Sequence, residues 1–242
     1  MLAGTEIARR IMRNLDCEVL TSSKDGQLVS AGQTFFTVRG AAADLHAAWK
    51  VCLNVFGHLS AVATETRSMV DAVHAVNPEC EVLTTRKSMP GAKDLLTCAV
   101  MAGGAFPHRL GLSETVLVFE QHLAFFGGFN RFDEEMPGIK TRCVEKKLVV
   151  EGDGKRAIAL ARASAGGHGV DGIQLDKVPV SELAELVRRI RDIDPRITII
   201  AAGGINPQNA GAYAACGVDG LATTAPFTAK PVDMSVCMRP LE

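Results

Sequence analysis

The stretch KLVVEGDGKRAIALARAS, residues 147–164, decides the fold, because an apolar run rich in β-branched residues passes directly into a segment with helical periodicity. The same alternation continues downstream. DGIQLDK (171–177), ITIIAAGG (197–204) and DGLATT (219–224) are predicted strands. PVSELAELVRRIRDID (179–194) and NPQNAGAYAACG (206–217) are predicted helices that separate them. Nearly continuous apolar strands that alternate with helices indicate a parallel sheet covered by helices.

Two further strands are predicted upstream of this region, in CEVLTTR (80–86) and ETVLVFE (114–120). Six strands at this spacing suit a parallel α/β barrel, and a doubly wound open sheet is the second possibility. We therefore predict an α/β fold in which a six-stranded parallel α/β barrel occupies residues 58–227.

The first 57 residues have a different pattern and predict a small α/β domain. Residues 1–15 have the spacing of an amphipathic helix. QLVSAGQTFFTVRG (27–40) alternates between apolar and polar residues and predicts an antiparallel, hairpin-like element. Residues 41–67 are rich in alanine and predict a long helix that leads into the barrel. The tail, residues 228–242, includes the short strand signal MSVCM and is a candidate to return to this small domain.

Composition excludes several classes of function. The formal net charge of the 242 residues is −1, and only 5% of them are aromatic, so neither a general electrostatic attraction to nucleic acid nor a base-stacking surface is indicated. The seven cysteines are scattered without metal-ligand spacing. No apolar run is long enough for a membrane span. We expect a soluble, cytoplasmic protein that does not bind nucleic acid or membrane.

A local excess of cations contrasts with this neutral background. TTRKSMPG (84–91) contains Arg86 and Lys87, and GGAFPHRLGL (103–112) contains His108 and Arg109. Guanidinium groups beside a second basic or titratable residue suit the bidentate binding of carboxylate or phosphate oxygens. The sequence therefore predicts a site for a small anionic molecule.

More polar residues follow the predicted strands, where parallel α/β folds bind their ligands. Glu151 and Asp176 supply carboxylates, Gly203 and Gly204 precede a helix expected to begin at Asn206–Pro207, and Thr223 and Thr224 supply hydroxyls. Glycines at a helix N-terminus suit a phosphate, and carboxylates suit hydrated Mg²⁺ or ribose hydroxyls. Simpler interpretations remain open: Asp176 as a helix N-cap, the glycine pair as a tight turn, and His122 as a hydrogen-bonded structural histidine.

These segments resemble one known family. TTRKSMPG, GGAFPHRLGL, IQLDK (173–177) and AAGGINPQNAGAYAACGVDGLATT (201–224) are similar to the quinolinate phosphoribosyltransferases, the nicotinate-nucleotide pyrophosphorylases. VFEQH (118–122) and LDK (175–177) point to the ModD branch of that family. The resemblance implies an N-terminal α/β sandwich domain, here shortened at its start, an α/β barrel, and a homodimer or higher homo-oligomer whose subunits share their active sites.

The resemblance also implies a reaction and a cofactor. Phosphoribosyl pyrophosphate and quinolinate, with Mg²⁺, give nicotinate mononucleotide, CO2 and pyrophosphate, a step of NAD biosynthesis. Catalytic roles then fall on six residues and substrate-binding roles on six more. The catalytic set is Arg86, Lys87, His108, Arg109, Glu151 and Asp176, of which Glu151 and Asp176 are also the expected Mg²⁺ ligands. Either Val149 or Glu151 stands at the position of the family's first metal-side acid. The substrate-binding set is Lys50, Phe119, Gly203, Gly204, Thr223 and Thr224.

The sequence departs from the family pattern at Phe119, which stands where the family has a lysine of the catalytic site. Thr224 replaces a glycine of the second phosphate loop, and Lys50 stands where the family has an arginine that reaches the neighbouring subunit's site. Three readings follow: a phosphoribosyltransferase for quinolinate, a ModD-type enzyme for a different acceptor, or a weakly catalytic anion- or nucleotide-binding protein linked to molybdenum transport. A β/α-barrel lyase or isomerase for a phosphorylated sugar is a further, less favoured reading.

Overall fold

The computed structural model describes residues 1–167 and 169–240. In chain order the helices are α1 (Thr5–Arg13), α2 (Ala42–His74), α3 (Lys93–Ala102), α4 (Glu120–Phe126), α5 (Phe129–Arg142), α6 (Gly154–Ala165), α7 (Val180–Ile193) and α8 (Ala210–Ala214). The strands are β1 (Glu18–Ser22), β2 (Phe36–Arg39), β3 (Glu81–Thr84), β4 (Phe106–Pro107), β5 (Val116–Val118), β6 (Leu148–Gly152), β7 (Gly172–Asp176), β8 (Thr198–Ala202) and β9 (Gly220–Thr223).

The chain divides into two compact units. The first comprises Met1–Val70, Lys87–Pro107 and the residues from Thr224 onward, and the second comprises Asp71–Arg86 and His108–Thr223. No helix of the described chain is both long and apolar enough to cross a bilayer.

The first unit is built around a small apolar core that α1 and α2 share with an antiparallel strand pair. Strands β1 and β2 pair antiparallel, with a register shift between Val19 and Thr21. Phe56 of α2 lies at the centre of this core, and the rings of Phe35 and Phe36 contact it edge-on at centroid distances of 5.0 and 5.4 Å. Such edge-to-face pairs add to the stabilisation that burial itself provides.

Two expectations for this unit were wrong in detail. The antiparallel element is present, but its first strand is β1 rather than part of residues 27–35. The MSVCM segment of the tail forms no strand, since residues 229–240 have no regular secondary structure. The tail does contact the unit, because the N–H of Val232 donates to the carbonyl oxygen of Gly57 at 3.0 Å and Met234 packs on the core around Phe56.

The second unit contains all six predicted strands of the large sheet, in the order β3-β9-β8-β7-β6-β5. The pairings of β3 with β9, β9 with β8, β8 with β7, β7 with β6 and β6 with β5 are all parallel. The two-residue strand β4 makes the sheet seven-stranded. The sheet is curled into a half-barrel, so the expected barrel is present in an open form with one strand more than predicted.

Burial explains why these strands were predictable. Strands β6, β7, β8 and β9 are buried along almost their whole length. Their sequences therefore lack the alternation of a half-exposed strand and appear as continuous apolar runs. The partly exposed position of β6 is Glu151 and that of β7 is Asp176, and each lies at or near the C-terminal end of its strand.

Candidate functional site

The register of the second unit's sheet brings the C-terminal ends of its strands to a common level, here called the carboxyl edge. Thr84 of β3 is the partner of Thr223 of β9, and Ala202 of β8 is the partner of Asp176 of β7. Strand β6 continues this level, since its Gly152 pairs with Leu175. The carboxyl ends of parallel strands are where α/β proteins bind ligands.

Basic side chains occupy one part of this edge. Arg86 follows β3 and is exposed, and the N–H of His108 donates to the carbonyl oxygen of Thr84 at 2.9 Å, which fixes His108 and Arg109 next to the end of the same strand. Arg109 is only 9% exposed. A guanidinium buried to this extent beside a second one is stabilised when an anion lies between them.

The electrostatics of this part are those of a site prepared for an anion. Burial lowers the pKa of Arg109, the positive charge of Arg86 lowers it further, and the carboxylate of Glu114 opposes both effects. Burial also lowers the pKa of His108, and the charge of Arg109 acts in the same direction. The imidazole of His108 is therefore neutral near pH 7, so it presents one N–H donor and one acceptor nitrogen rather than a full charge.

Phe119 forms the surface on which Arg109 rests. The guanidinium carbon of Arg109 lies 5.8 Å from the centroid of the Phe119 ring, within the range of a cation–π contact. Phe119 is the last residue before α4, and its N–H donates to Nδ1 of His122 at 2.9 Å. His122 is thus the hydrogen-bonded histidine that the sequence predicted, and it helps to fix the backbone from which the Phe119 ring projects.

Carboxylates occupy a neighbouring part of the edge. Oε2 of Glu151 accepts a hydrogen bond from Nε2 of Gln174 at 2.7 Å. Oδ2 of Asp176 lies 3.9 Å from the ammonium nitrogen of Lys177. The N-cap of the following helix, α7, is Pro179, so Asp176 does not serve as the N-cap that the sequence left open.

These two carboxylates fit Mg²⁺ in its usual protein setting. Within residues 1–167 and 169–240, no group of three or more His, Cys, Asp or Glu side chains is arranged to hold a metal alone. Mg²⁺ normally keeps several waters and uses one or two carboxylates together with substrate phosphates. Glu151 and Asp176 match that requirement better than they match a site for a metal held wholly by protein.

The glycine pair after β8 forms a tight loop rather than the start of a helix. Gly203 and Gly204 have φ values of +92° and +74°, which side-chain-bearing residues rarely adopt. The predicted helix start at Asn206–Pro207 was wrong, because α8 begins at Ala210. Two asparagines hold the loop instead: the N–H of Asn206 donates to Oδ1 of Asn209 at 2.8 Å, and both side-chain amides donate to the carbonyl oxygen of Gly204. Asparagine side chains commonly make such local hydrogen bonds to the backbone of turns.

The remaining predicted residues differ in accessibility and position. Thr223 is 3% exposed, and its hydroxyl donates to the carbonyl oxygen of Ile205 at 2.6 Å. Thr224, Lys87 and Lys50 belong to the first unit. Lys50 is exposed on α2, with its ammonium nitrogen 5.3 Å from the centroid of the Trp49 ring.

The second unit therefore places nine of the predicted residues along its carboxyl edge. They are Arg86, His108, Arg109, Phe119, Glu151, Asp176, Gly203, Gly204 and Thr223. Gln174 was missed by the sequence reasoning. Its signal was a polar residue in an otherwise apolar buried strand, two positions before Asp176.

Family comparisons agree along nearly the whole chain. The family model "Quinolinate phosphoribosyl transferase, N-terminal domain" matches residues 1–60, and that of the C-terminal domain matches residues 62–237. "Putative pyrophosphorylase ModD" of Pasteurella multocida is 34% identical over 98% of this chain and 82% of its own length. The nicotinate-nucleotide pyrophosphorylase (carboxylating) of Mycobacterium leprae is 32% identical over 93% of this chain and 78% of its own.

Solved structures give the same result. The nicotinate-nucleotide pyrophosphorylase of Francisella tularensis superposes with a TM-score of 0.85 at 26% identity, covering 97% of this chain and 80% of that one. NadC of Streptococcus pyogenes superposes with a TM-score of 0.83 over 96% of this chain and 79% of that one. At 24% identity the second likeness concerns the fold alone.

Proposed function

Because this chain belongs to the quinolinate phosphoribosyltransferase family and to its ModD-like branch, we propose that it transfers the ribose 5-phosphate of phosphoribosyl pyrophosphate to the ring nitrogen of an aromatic acid. The class of enzyme, a phosphoribosyltransferase, follows from the family. The identity of the acceptor is the part that we propose. The observation that carries the proposal is the buried Arg109 beside Arg86, on the same carboxyl edge as the carboxylates of Glu151 and Asp176.

The two ends of this edge suit the two substrates. Arg86 and Arg109 bind and orient a carboxylate of the acceptor, and neutral His108 donates one hydrogen bond to it. The loop at Gly203 and Gly204 binds phosphate through main-chain N–H groups. These assignments are supported by the accessibility of Arg86, the burial of Arg109 and the open space beside Gly204, where a Cβ would meet no atom within 4 Å.

The donor end requires little from the protein beyond position and charge. Glu151 and Asp176 are the residues that would hold Mg²⁺, which when bound would neutralise charge on the pyrophosphate group. Departure of pyrophosphate leaves an oxocarbenium-like sugar, and fixed negative charge close to it stabilises that state. Lys87, Lys50, Thr223 and Thr224 complete the proposed set, with Lys50 acting in the neighbouring subunit's site of a homodimer or higher homo-oligomer.

Quinolinate is the first candidate acceptor, since the M. leprae relative is named for the carboxylating reaction. An acceptor with a single carboxylate is the second candidate, and Phe119 is the specific observation that favours it. Where the resemblance implies a lysine, this chain has an apolar ring that rests against Arg109. Loss of a charge-assisted hydrogen bond costs about 1.5–3 kcal/mol, or roughly 10- to 150-fold in rate when it acts in the transition state.

The experiment is to incubate the protein with phosphoribosyl pyrophosphate, Mg²⁺ and either quinolinate or a pyridine monocarboxylate, and to identify the nucleotide formed. The same comparison is made for Phe119→Lys. Phe125→Lys is the matched control, because Phe125 lies on α4 with 91% of its surface exposed and acquires the same charge outside the site.

We expect Phe119→Lys to raise kcat/KM for quinolinate by about tenfold or more, from the cost given above. Phe125→Lys should leave it unchanged. A nucleotide product from quinolinate in the wild type, with no gain in Phe119→Lys, would remove the reason for a monocarboxylate acceptor and keep quinolinate. No product with any aromatic acid would contradict the proposed reaction.

A further inference from the structure

One amide side chain is buried within the large sheet. Gln174 is in the middle of β7 and is 6% exposed. Alternate residues of a strand share a face, so Gln174 shares its face with Asp176. Glu151 of β6 is the register partner of Gln174 and therefore lies on that face too. This face of the sheet thus carries the carboxylates of Glu151 and Asp176. The amide of Gln174 lies beside Glu151, two residues before Asp176.

On the side facing β8, the amide of Gln174 has apolar neighbours on its face of the sheet. Its register partner on β8 is Ile200, which packs with Ala202, Ala222 and Leu83 as an apolar cluster on the same face. An unpaired amide in such surroundings is destabilising, whereas a methionine of similar volume would not be. A buried glutamine here therefore requires a reason other than packing.

The hydrogen bond to Glu151 supplies that reason. Nε2 of Gln174 donates to Oε2 of Glu151 at 2.7 Å, a short bond to a charged acceptor. Glu151 is partly exposed near the carboxyl edge, and the buried amide restrains one oxygen of its carboxylate.

We infer that Gln174 is a positioning residue of the donor site: it fixes the carboxylate of Glu151 in the orientation in which, together with Asp176, it binds the Mg²⁺ complex of phosphoribosyl pyrophosphate. This inference rests on the proposed function. Gln174 acts through Glu151 and does not itself touch the substrate.

The test is a calorimetric titration of the protein with phosphoribosyl pyrophosphate in the presence of Mg²⁺. Four proteins are compared: wild type, Gln174→Met, Glu151→Gln and the double variant. Gln121→Met is the matched control, since Gln121 is exposed on α4. The thermal unfolding midpoint of each protein is measured alongside.

We expect Gln174→Met to weaken donor binding about 10- to 150-fold, the range for a hydrogen bond to a charged group. Its unfolding midpoint should be unchanged or higher, because the variant removes a buried amide from an apolar cluster. The double variant should bind the donor no more weakly than Glu151→Gln alone, because the two residues act as one unit. If Gln174 had only a structural role, Gln174→Met would instead lower the unfolding midpoint and leave the donor affinity unchanged.

Unchanged donor affinity in Gln174→Met, or effects that add independently in the double variant, would overturn the inference. The proposed function fails in a different way: a wild type that binds the donor but forms no nucleotide with any acceptor contradicts the reaction, while the four affinities still decide the role of Gln174. A wild type that does not bind the donor contradicts both.

Discussion

Position 203 needs glycine because of what a side chain there would meet. A Cβ on Gly203 would lie 2.5 Å from Cγ of Lys177, 2.8 Å from the backbone nitrogen of Lys177 and 2.9 Å from Oδ1 of Asp176. The backbone nitrogen cannot move far, since it donates to the carbonyl oxygen of Ala202 at 2.8 Å. The side chain of Lys177 and the carboxylate of Asp176 are therefore the groups that would be displaced.

Gly203→Ala should accordingly weaken binding of Mg²⁺ and phosphoribosyl pyrophosphate by about tenfold or more, the effect of losing one contact to a charged group. Gly217→Ala is the control: it has a similar φ of +82°, but its Cβ would approach nothing closer than 3.7 Å. Both variants should lose stability through backbone strain. Calorimetry measures the donor affinity of both variants. Equal affinities would show that a Cβ at position 203 does not displace Asp176 from the donor site.

The neutral imidazole of His108 gives a pH dependence with a definite sign. Burial and then the charge of Arg109 lower the pKa of His108 in the folded protein. The unfolded chain therefore takes up this proton at a higher pH than the folded one does. The stability contributed by neutral His108 is present above the ordinary histidine pKa and is lost as the pH falls from there towards the folded-state pKa.

His108→Gln should therefore lose less stability than the wild type when the pH is lowered from 7 to 5. Urea unfolding at the two pH values measures the difference. His46→Gln, at an exposed position of α2, controls for the removal of a histidine as such. If wild type and His108→Gln lose the same free energy of unfolding over this interval, the imidazole is not held neutral by its surroundings.

Among the elements, one tripeptide occurs twice at the end of the sheet opposite the candidate site. Val-Asp-Gly leads into β7 (170–172) and again into β9 (218–220), and its glycine is the first residue of each strand. In the first copy, Asp171 accepts the N–H of Leu148 at 2.6 Å and pairs with Lys140. In the second, Asp219 accepts the N–H of Ile199 at 2.6 Å and pairs with Arg191 at 2.6 Å. Each aspartate joins the start of a neighbouring strand to a helix cation.

Asp219→Ala should lower the free energy of unfolding by about 1–3 kcal/mol, because the N–H of buried Ile199 loses its acceptor. Donor binding should be unaffected, since this end of the sheet serves stability rather than chemistry. Asp192→Ala is the control, an exposed ion-pair carboxylate on α7 whose loss should cost little. Chemical unfolding measures the free energy of unfolding, and titration with phosphoribosyl pyrophosphate measures donor affinity. A loss of donor affinity in folded Asp219→Ala would contradict the assignment of stability to this end of the sheet and of ligand binding to the other.

The elements that could be predicted from the sequence are those whose burial determines their composition. The strand KLVVEG and its counterparts are enclosed by helices on the outer face, so their apolar runs are continuous and unambiguous. The start of α8 was predicted too early, because Asn206 has the contact of an N-cap, with Oδ1 accepting the N–H of Gln208 at 3.0 Å, whereas the regular helix begins only at Ala210. The tail segment MSVCM has the composition of a strand, but residues 229–240 form no strand.

Candidate site residues were predictable for a different reason. Arg86, Glu151 and Asp176 could be named because the ends of parallel strands must meet at one edge. The contact of Arg109 with the Phe119 ring and the bond from Gln174 to Glu151 join residues whose proximity depends on strand register and loop path. Neither is visible in the spacing of residues along the chain.

At the scale of the whole molecule, the resemblance to the family implies that Lys50 acts in the site of a neighbouring subunit. Lys50→Ala and Asp176→Asn should then each be inactive alone but recover activity when the two proteins are unfolded and refolded together. A mixed dimer has one intact site, so recovery should approach about one quarter of the wild-type specific activity for a two-fold dimer with random reassociation. Each variant refolded alone is the control. No recovery in a mixture that does form mixed dimers would place Lys50 outside the site.

Pyrophosphate release by the wild type, on mixing with phosphoribosyl pyrophosphate, Mg²⁺ and an aromatic acid, is the decisive assay of the proposed reaction. We expect release that requires the acceptor and stops when Mg²⁺ is chelated, because the carboxylates of Glu151 and Asp176 act through the metal complex of the donor. Donor binding of equal affinity with and without Mg²⁺, with no release for quinolinate or any pyridine monocarboxylate, would contradict it. Such a protein would bind anions through its arginines alone.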